Sequence, residues 1–132
     1  MTEQEKLKLN EKLAKFAELK DFQVKNGIIE YSGYIGDGWF PNLYVDYFTD
    51  SLDACFQMLV PKLLRDGEYP YLKSIEIEPA MCDELCFTCY LYYESLHDDG
   101  FIEREESAGY ANTPALALCL AIEKLIDTQK DT

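Results

Sequence analysis

No run of eighteen apolar residues occurs in this chain of 132 residues, and it holds a single histidine and a single tryptophan. The missing apolar run argues against a membrane-spanning helix. Met1 to Lys20 is charged and helix-like rather than a basic stretch leading into an apolar one, so no signal peptide is expected either. The sequence therefore predicts a soluble, unprocessed protein. Positive charge is scarce too: 12 Lys and Arg stand against 25 Asp and Glu, for a net charge of −13. Binding to phosphate backbones depends on Lys and Arg displacing counterions, so nucleic-acid binding is not expected. Glycine-rich phosphate loops are missing as well, because Gly33, Gly36 and Gly38 lack the strand-then-helix context that gives such loops their function. No serine, threonine or cysteine lies in a recognisable nucleophile motif, so the expectation is a protein that is not an enzyme.

Cysteine is present but odd in number: Cys55, Cys82, Cys86, Cys89 and Cys119. Two of these fall on apolar helix faces, where a reduced thiol behaves as a small hydrophobe, and a cytoplasmic location is expected. Cys82, Cys86 and Cys89 have the C-x-x-x-C-x-x-C spacing of radical S-adenosylmethionine enzymes, and His97 is conceivable as a fourth zinc ligand. A strand through Cys86 and Cys89 would point their sulfurs to opposite faces, so neither a metal nor a cofactor is expected. His97, beside Asp98 and Asp99, reads as a turn residue, and these aspartates lack the spacing of a calcium loop.

What is present is strong local patterning. Thr113 and Pro114 open the run Ala115-Leu116-Ala117-Leu118-Cys119-Leu120-Ala121-Ile122, which reads as a capped helix that is apolar nearly all round. Such a helix has to be enclosed by other elements. At the other end, Thr2-Glu3-Gln4-Glu5 has capping-box spacing, and Leu9, Leu13, Phe16 and Ala17 form an apolar stripe. Thr49 or Asp50 is placed to cap a second helix carrying Leu52, Cys55, Phe56, Leu59 and Leu63, which Pro61 should kink or end and Asp66-Gly67 should close.

From Tyr71 the period falls to two: Ile75 and Ile77 alternate with Ser74, Glu76 and Glu78 in a strand ending near Pro79. Glu84 to Ser95 reads as a longer strand, and His97 to Gly100 as a turn into a third, Phe101 to Tyr110, whose charge suits an edge. Between the first two helices, Asn26-Gly27 and Asp37-Gly38 punctuate an irregular segment. The prediction is one α+β domain over 1–132. It has an N-terminal helix over 1–20, an irregular aromatic-rich hairpin or loop over 21–48, and an αβββα core over 49–130. Its sheet is antiparallel and three-stranded, with room for a fourth strand, and packs with helices as a sandwich.

Two blocks of this pattern resemble a known family. Pro41 to Leu64, centred on Phe48-Thr49-Asp50-Ser51-Leu52-Asp53-Ala54-Cys55-Phe56, and Ala111 to Asp127, strongest at Asn112-Thr113-Pro114-Ala115-Leu116-Ala117, resemble the phage ABA sandwich domain of bacteriophages and prophages. The resemblance implies a small α+β sandwich in a phage setting and no activity. Helix, three strands, helix is also the order of double-stranded RNA-binding domains, but Glu103, Glu105 and Glu106 occupy the place where those domains carry cations.

Charge and aromatics then suggest recognition. From Asp66 to Glu106 twelve acidic residues face only Lys73 and Arg104, a net of −10. Tyr31, Tyr34, Trp39, Phe40, Tyr44, Tyr47 and Phe48 crowd into eighteen residues. Tyrosine and tryptophan combine apolar faces with a polar tip, the chemistry of binding hot spots, and Tyr90 and Tyr92 offer the same. The expected contact residues are Tyr31, Tyr34, Trp39, Tyr44, Tyr47, Glu103 and Glu105, and the expected partner is a basic protein of host or phage. The alternative is sequestration of a small nucleotide-like ligand in an aromatic-lined pocket, with Arg65, Lys73 or Arg104 supplying cations. A homodimer is expected if the terminal helix completes its burial against a second copy.

Overall fold

Thr2 starts the first helix as the spacing predicts. Its Oγ1 accepts from the Glu5 N–H at 3.1 Å, while the Glu5 carboxylate accepts from the Thr2 N–H at 3.3 Å. Helix α1 runs Glu3–Phe16 and buries Leu9, Asn10, Leu13 and Ala14. The computed structural model describes residues 1–64, 70–81 and 83–130, so the expectations for Arg65, Asp66-Gly67 and Cys82 lie outside the described residues.

Residues 21–48 sharpen the sequence reading. Of the two alternatives, hairpin or loop, the structure has the hairpin, extended to a three-stranded antiparallel sheet of β1 (Lys20–Lys25), β2 (Ile28–Ile35) and β3 (Gly38–Asp46), in the order β1-β2-β3. Asn26 and Gly27 both take positive φ, 55° and 79°, as a two-residue hairpin turn of type I′ requires. Register shifts between Lys20 and Gln23, and between Tyr31 and Gly33, break the alternation that would have told the two apart. Pro41 is tolerated in β3 because that strand is an edge.

The central helix is continuous over 52–63 but changes winding. An α-helical turn α2 (Leu52–Ala54) leads into a π-helical turn Cys55–Leu59 and a last α-helical turn α3 (Val60–Leu63). Pro61 has no N–H and its ring would strike a carbonyl one turn back. Widening the preceding turn, with the Val60 N–H bonded to the Cys55 carbonyl, lets the helix pass the proline instead of ending at it. Neither Thr49 nor Asp50 caps this helix. Ser51 Oγ does, accepting from the Ala54 N–H at 3.1 Å.

The period-two segments form a second antiparallel sheet, β4 (Tyr71–Met81), β5 (Leu85–Leu96) and β6 (Ile102–Ala111), in the order β4-β5-β6. β4 continues past Pro79, again on an edge. The fold is therefore α+β with two three-stranded sheets and three helices, where the sequence reading had one sheet.

Helix α4 (Pro114–Lys130) is capped by Thr113, whose Oγ1 accepts from the Leu116 N–H at 3.2 Å. Leu118, Cys119, Ala121 and Ile122 are fully buried. The helix lies on β6 and touches it almost backbone to backbone at Gly109, where a Cβ would fall 2.1 Å from the Ala117 carbonyl oxygen. Ser107 Oγ adds a hydrogen bond to the Ala121 carbonyl at 2.7 Å. Within this chain Leu116 and Leu120 of the same helix stay half-buried.

One buried cluster joins Leu13 of α1, Ile29 of β2, Leu59 and Leu63 of the central helix, Leu72 and Leu91 of the second sheet, and Leu118 and Ile122 of α4. A buried polar tie reinforces it: Asn10 Nδ2 donates to the Lys6 carbonyl and to Thr49 Oγ1, both at 2.9 Å. Among the described residues no helix is long and apolar enough to cross a membrane.

Candidate aromatic and acidic surfaces

Strand periodicity divides β5 between two environments. Cys89, Leu91 and Tyr93 are buried against α4 and the core, so Thr88, Tyr90, Tyr92 and Glu94 point the other way and stay partly exposed. Pairing extends this outward face across the sheet. Glu76 lies opposite Tyr90, Ser74 opposite Tyr92 and Glu78 opposite Thr88 on β4; Glu106 lies opposite Tyr92, Arg104 opposite Glu94 and Tyr110 opposite Thr88 on β6. Helix α4 packs on the other side of the sheet, and on this one Glu76, Glu78, Glu106 and Tyr110 are exposed.

The outward face is electrostatically tense. A hydrogen bond with Glu76, together with its charge, raises the Glu78 carboxyl above the ordinary carboxylate range. Desolvation, and then the Glu76 charge, raise the Tyr92 hydroxyl. The Tyr90 and Tyr92 rings are stacked, with centroids 6.1 Å apart and planes 19° apart. At one end Lys73 Nζ stands 5.5 Å from the Tyr71 ring centroid and 3.4 Å from the Glu94 carboxylate. A cavity of about 500 Å³ opens beside Tyr92, with Lys73, Ser74, Tyr93, Arg104, Glu105 and Glu106 in its wall.

A separate apolar patch sits on the β2–β3 hairpin. Tyr34 and Trp39 meet edge to face with centroids 4.9 Å apart, and Ile35 and Phe40 beside them are also exposed. Tyr34 keeps 71% of its surface in solvent and Tyr44 63%.

The contact residues expected from sequence therefore separate. Tyr34, Trp39 and Tyr44 are exposed on the first sheet, and Tyr31 is half-buried there. Tyr47 is 5% exposed and belongs to the core, which corrects its assignment to a contact surface. Glu103 and Glu105 share the strand parity of Ser107 and Gly109, so they stand on the α4 side of the sheet, away from the outward face. Both are engaged there: Glu105 accepts from Ser95 Oγ and Glu103 is bonded to His97 Nε2, each at 2.6 Å. Glu76 and Glu78 come to the side of Tyr90 and Tyr92 through the β4–β5 register. Glu106 becomes part of the group only through the β5–β6 register.

The thiols also regroup. Cys86 and Cys89 lie on opposite faces of β5, and Cys86 Sγ donates to the Ala80 carbonyl at 3.2 Å. Cys55 and Cys119 bring their sulfurs to 3.6 Å in the core, near Cys89. Burial pushes the Cys89 thiol up to about 11 and the Cys119 thiol well above its ordinary value. These groups are protonated packing atoms rather than nucleophiles. Among the described residues no three His, Cys, Asp or Glu side chains converge to hold a metal ion.

No family model, curated protein or solved structure matches this chain.

Proposed function

We propose that this chain is a non-enzymatic binding protein that takes a basic partner protein on the outward face of the β4-β5-β6 sheet. The observation that carries the reading is the exposed row of Glu76, Glu78 and Glu106 around Tyr90 and Tyr92. Carboxylates concentrated on one face speed and select association with a cationic partner more than they strengthen it. Aromatic rings among them supply the apolar contact area that a charge cluster lacks. The resemblance to the phage ABA sandwich domain gives the proposal its setting: a phage accessory protein in the host cytoplasm, acting in counter-defence or host takeover, with its two sheets arranged as a sandwich.

Capture of partners from an infected-host lysate at low and high salt tests this reading. A basic partner should be captured at low salt, released at high salt, lost on Glu76→Lys with Glu106→Lys, and retained by Glu103→Lys with Glu105→Lys. Capture indifferent to the first pair of reversals contradicts it.

A second reading, sequestration of a small anionic ligand, rests on the cavity beside Tyr92, where Lys73 and Arg104 come together next to an aromatic ring. Mass spectrometry of molecules released from denatured protein distinguishes the two.

A further inference from the structure

The outward face already contains one worked example of how it holds a cation. Lys73, on the same sheet, rests over the ring of Tyr71 and within 3.4 Å of Glu94, so a tyrosine face and a carboxylate together engage one positive group. The same pairing recurs at Tyr90 with Glu76 and at Tyr92 with Glu106, the partners lying directly opposite each other across the strands. Among the described residues no cation pairs with the carboxylates at these two places, although Lys73 and Arg104 stand in the cavity beside Tyr92. Among the described residues neither Glu76, Glu78 nor Glu106 takes part in an ion pair, and all three are exposed.

We propose that Tyr90 and Tyr92, flanked by Glu76 and Glu106, form a binding site for an arginine side chain of the partner protein. This rests on the reading of the sheet face as a surface for a basic partner, and adds the group it recognises. The two rings are stacked with their planes 19° apart, a parallel aromatic pair that a planar cation can extend and a compact ammonium cannot. Guanidinium is planar, weakly hydrated and suited to stacking on aromatic rings while its edge donates to a carboxylate; an ammonium is a strongly hydrated point charge. Glu78 adds a second carboxylate beside Glu76, to which it is hydrogen-bonded. Arg104, opposite Glu94 at the next outward position past Glu106, sets the limit of the site, since its charge repels an incoming guanidinium.

Fluorescence anisotropy with labelled octa-arginine and octa-lysine, two peptides of equal charge, tests the proposal at about 0.15 M salt. Octa-arginine should bind about tenfold more tightly than octa-lysine. Tyr90→Leu with Tyr92→Leu should bring the two peptides to equal affinity, whereas Tyr92→Phe, which keeps the ring, should preserve the preference. Arg104→Ala should tighten octa-arginine binding. Equal binding of both peptides to the native chain overturns the arginine site and leaves the charge-based reading standing. Binding of neither peptide overturns both, and a preference that survives loss of the two rings overturns the site as placed here.

Discussion

Gly109→Ala is the sharpest perturbation of the fold. A Cβ at this position would lie 2.1 Å from the Ala117 carbonyl oxygen, 2.5 Å from the Ala121 nitrogen and 3.0 Å from Leu120 Cβ. The two nearest atoms are backbone, so no rotamer change relieves the clash. Helix α4 would have to lift from β6 by more than an ångström, losing contacts around Leu118 and Ile122 and stretching the 2.7 Å bond from Ser107 to the Ala121 carbonyl. Overpacking of this kind costs about 3 kcal/mol or more. For a chain of this size that is a fall in Tm of roughly 10 °C. Gly33→Ala is the control, because its added methyl meets side chains alone, the end of Leu43 at 3.3 Å and the Tyr31 ring at 3.7 Å, and should cost less than about 1 kcal/mol. Urea unfolding followed by circular dichroism measures both. A Gly109→Ala protein within about 0.5 kcal/mol of the native one would refute the close seating of α4 on β6.

Three further outcomes follow from the same packing. Asn10→Ala leaves the Thr49 hydroxyl without its buried donor and should cost about 2 kcal/mol, with much of the loss absent when Thr49 is already valine; a double-mutant cycle in urea reads the coupling. Cys55, Cys89 and Cys119 should react with a thiol reagent in native protein only at the rate of opening, and rapidly in urea, as followed by mass spectrometry of the labelled peptides. Folding raises the affinity of Glu78 for its proton, so its contribution to stability is present below the ordinary carboxylate pKa and is lost as pH rises through the raised value. Glu78→Gln should therefore stabilise the protein at pH 7 and have no effect near pH 3; equal effects at the two pH values would contradict the assignment to the hydrogen bond and charge of Glu76.

Local signals carried much of this fold in the sequence. The Thr2 capping box, the Thr113-Pro114 helix start and the alternation of Ile75 and Ile77 each lie within a few residues and each survive in the structure. What escaped depends on distant partners. Thr49 does not cap the central helix because its hydroxyl accepts from Asn10, and Asp50 does not because its carboxylate is 2.6 Å from Lys6 Nζ. The first sheet could be read only as a hairpin or a loop, because its bulges break the alternation and Pro41 is acceptable only on an edge strand. On the candidate surface, acidity and tyrosine content were legible in the sequence. Which carboxylates share a face with those tyrosines was not, because that follows from strand register, which sets Glu106 beside Tyr92 and turns Glu103 and Glu105 to the other side.

The most direct test of the account is a two-dimensional NMR titration of the isotope-labelled chain with octa-arginine. The account predicts shifts concentrated at Ser74 to Glu78, Thr88 to Glu94 and Glu106 to Tyr110, with the Tyr34 to Phe40 hairpin and the α4 side undisturbed. Shifts centred on that hairpin, or on Glu103 and Glu105, would contradict it.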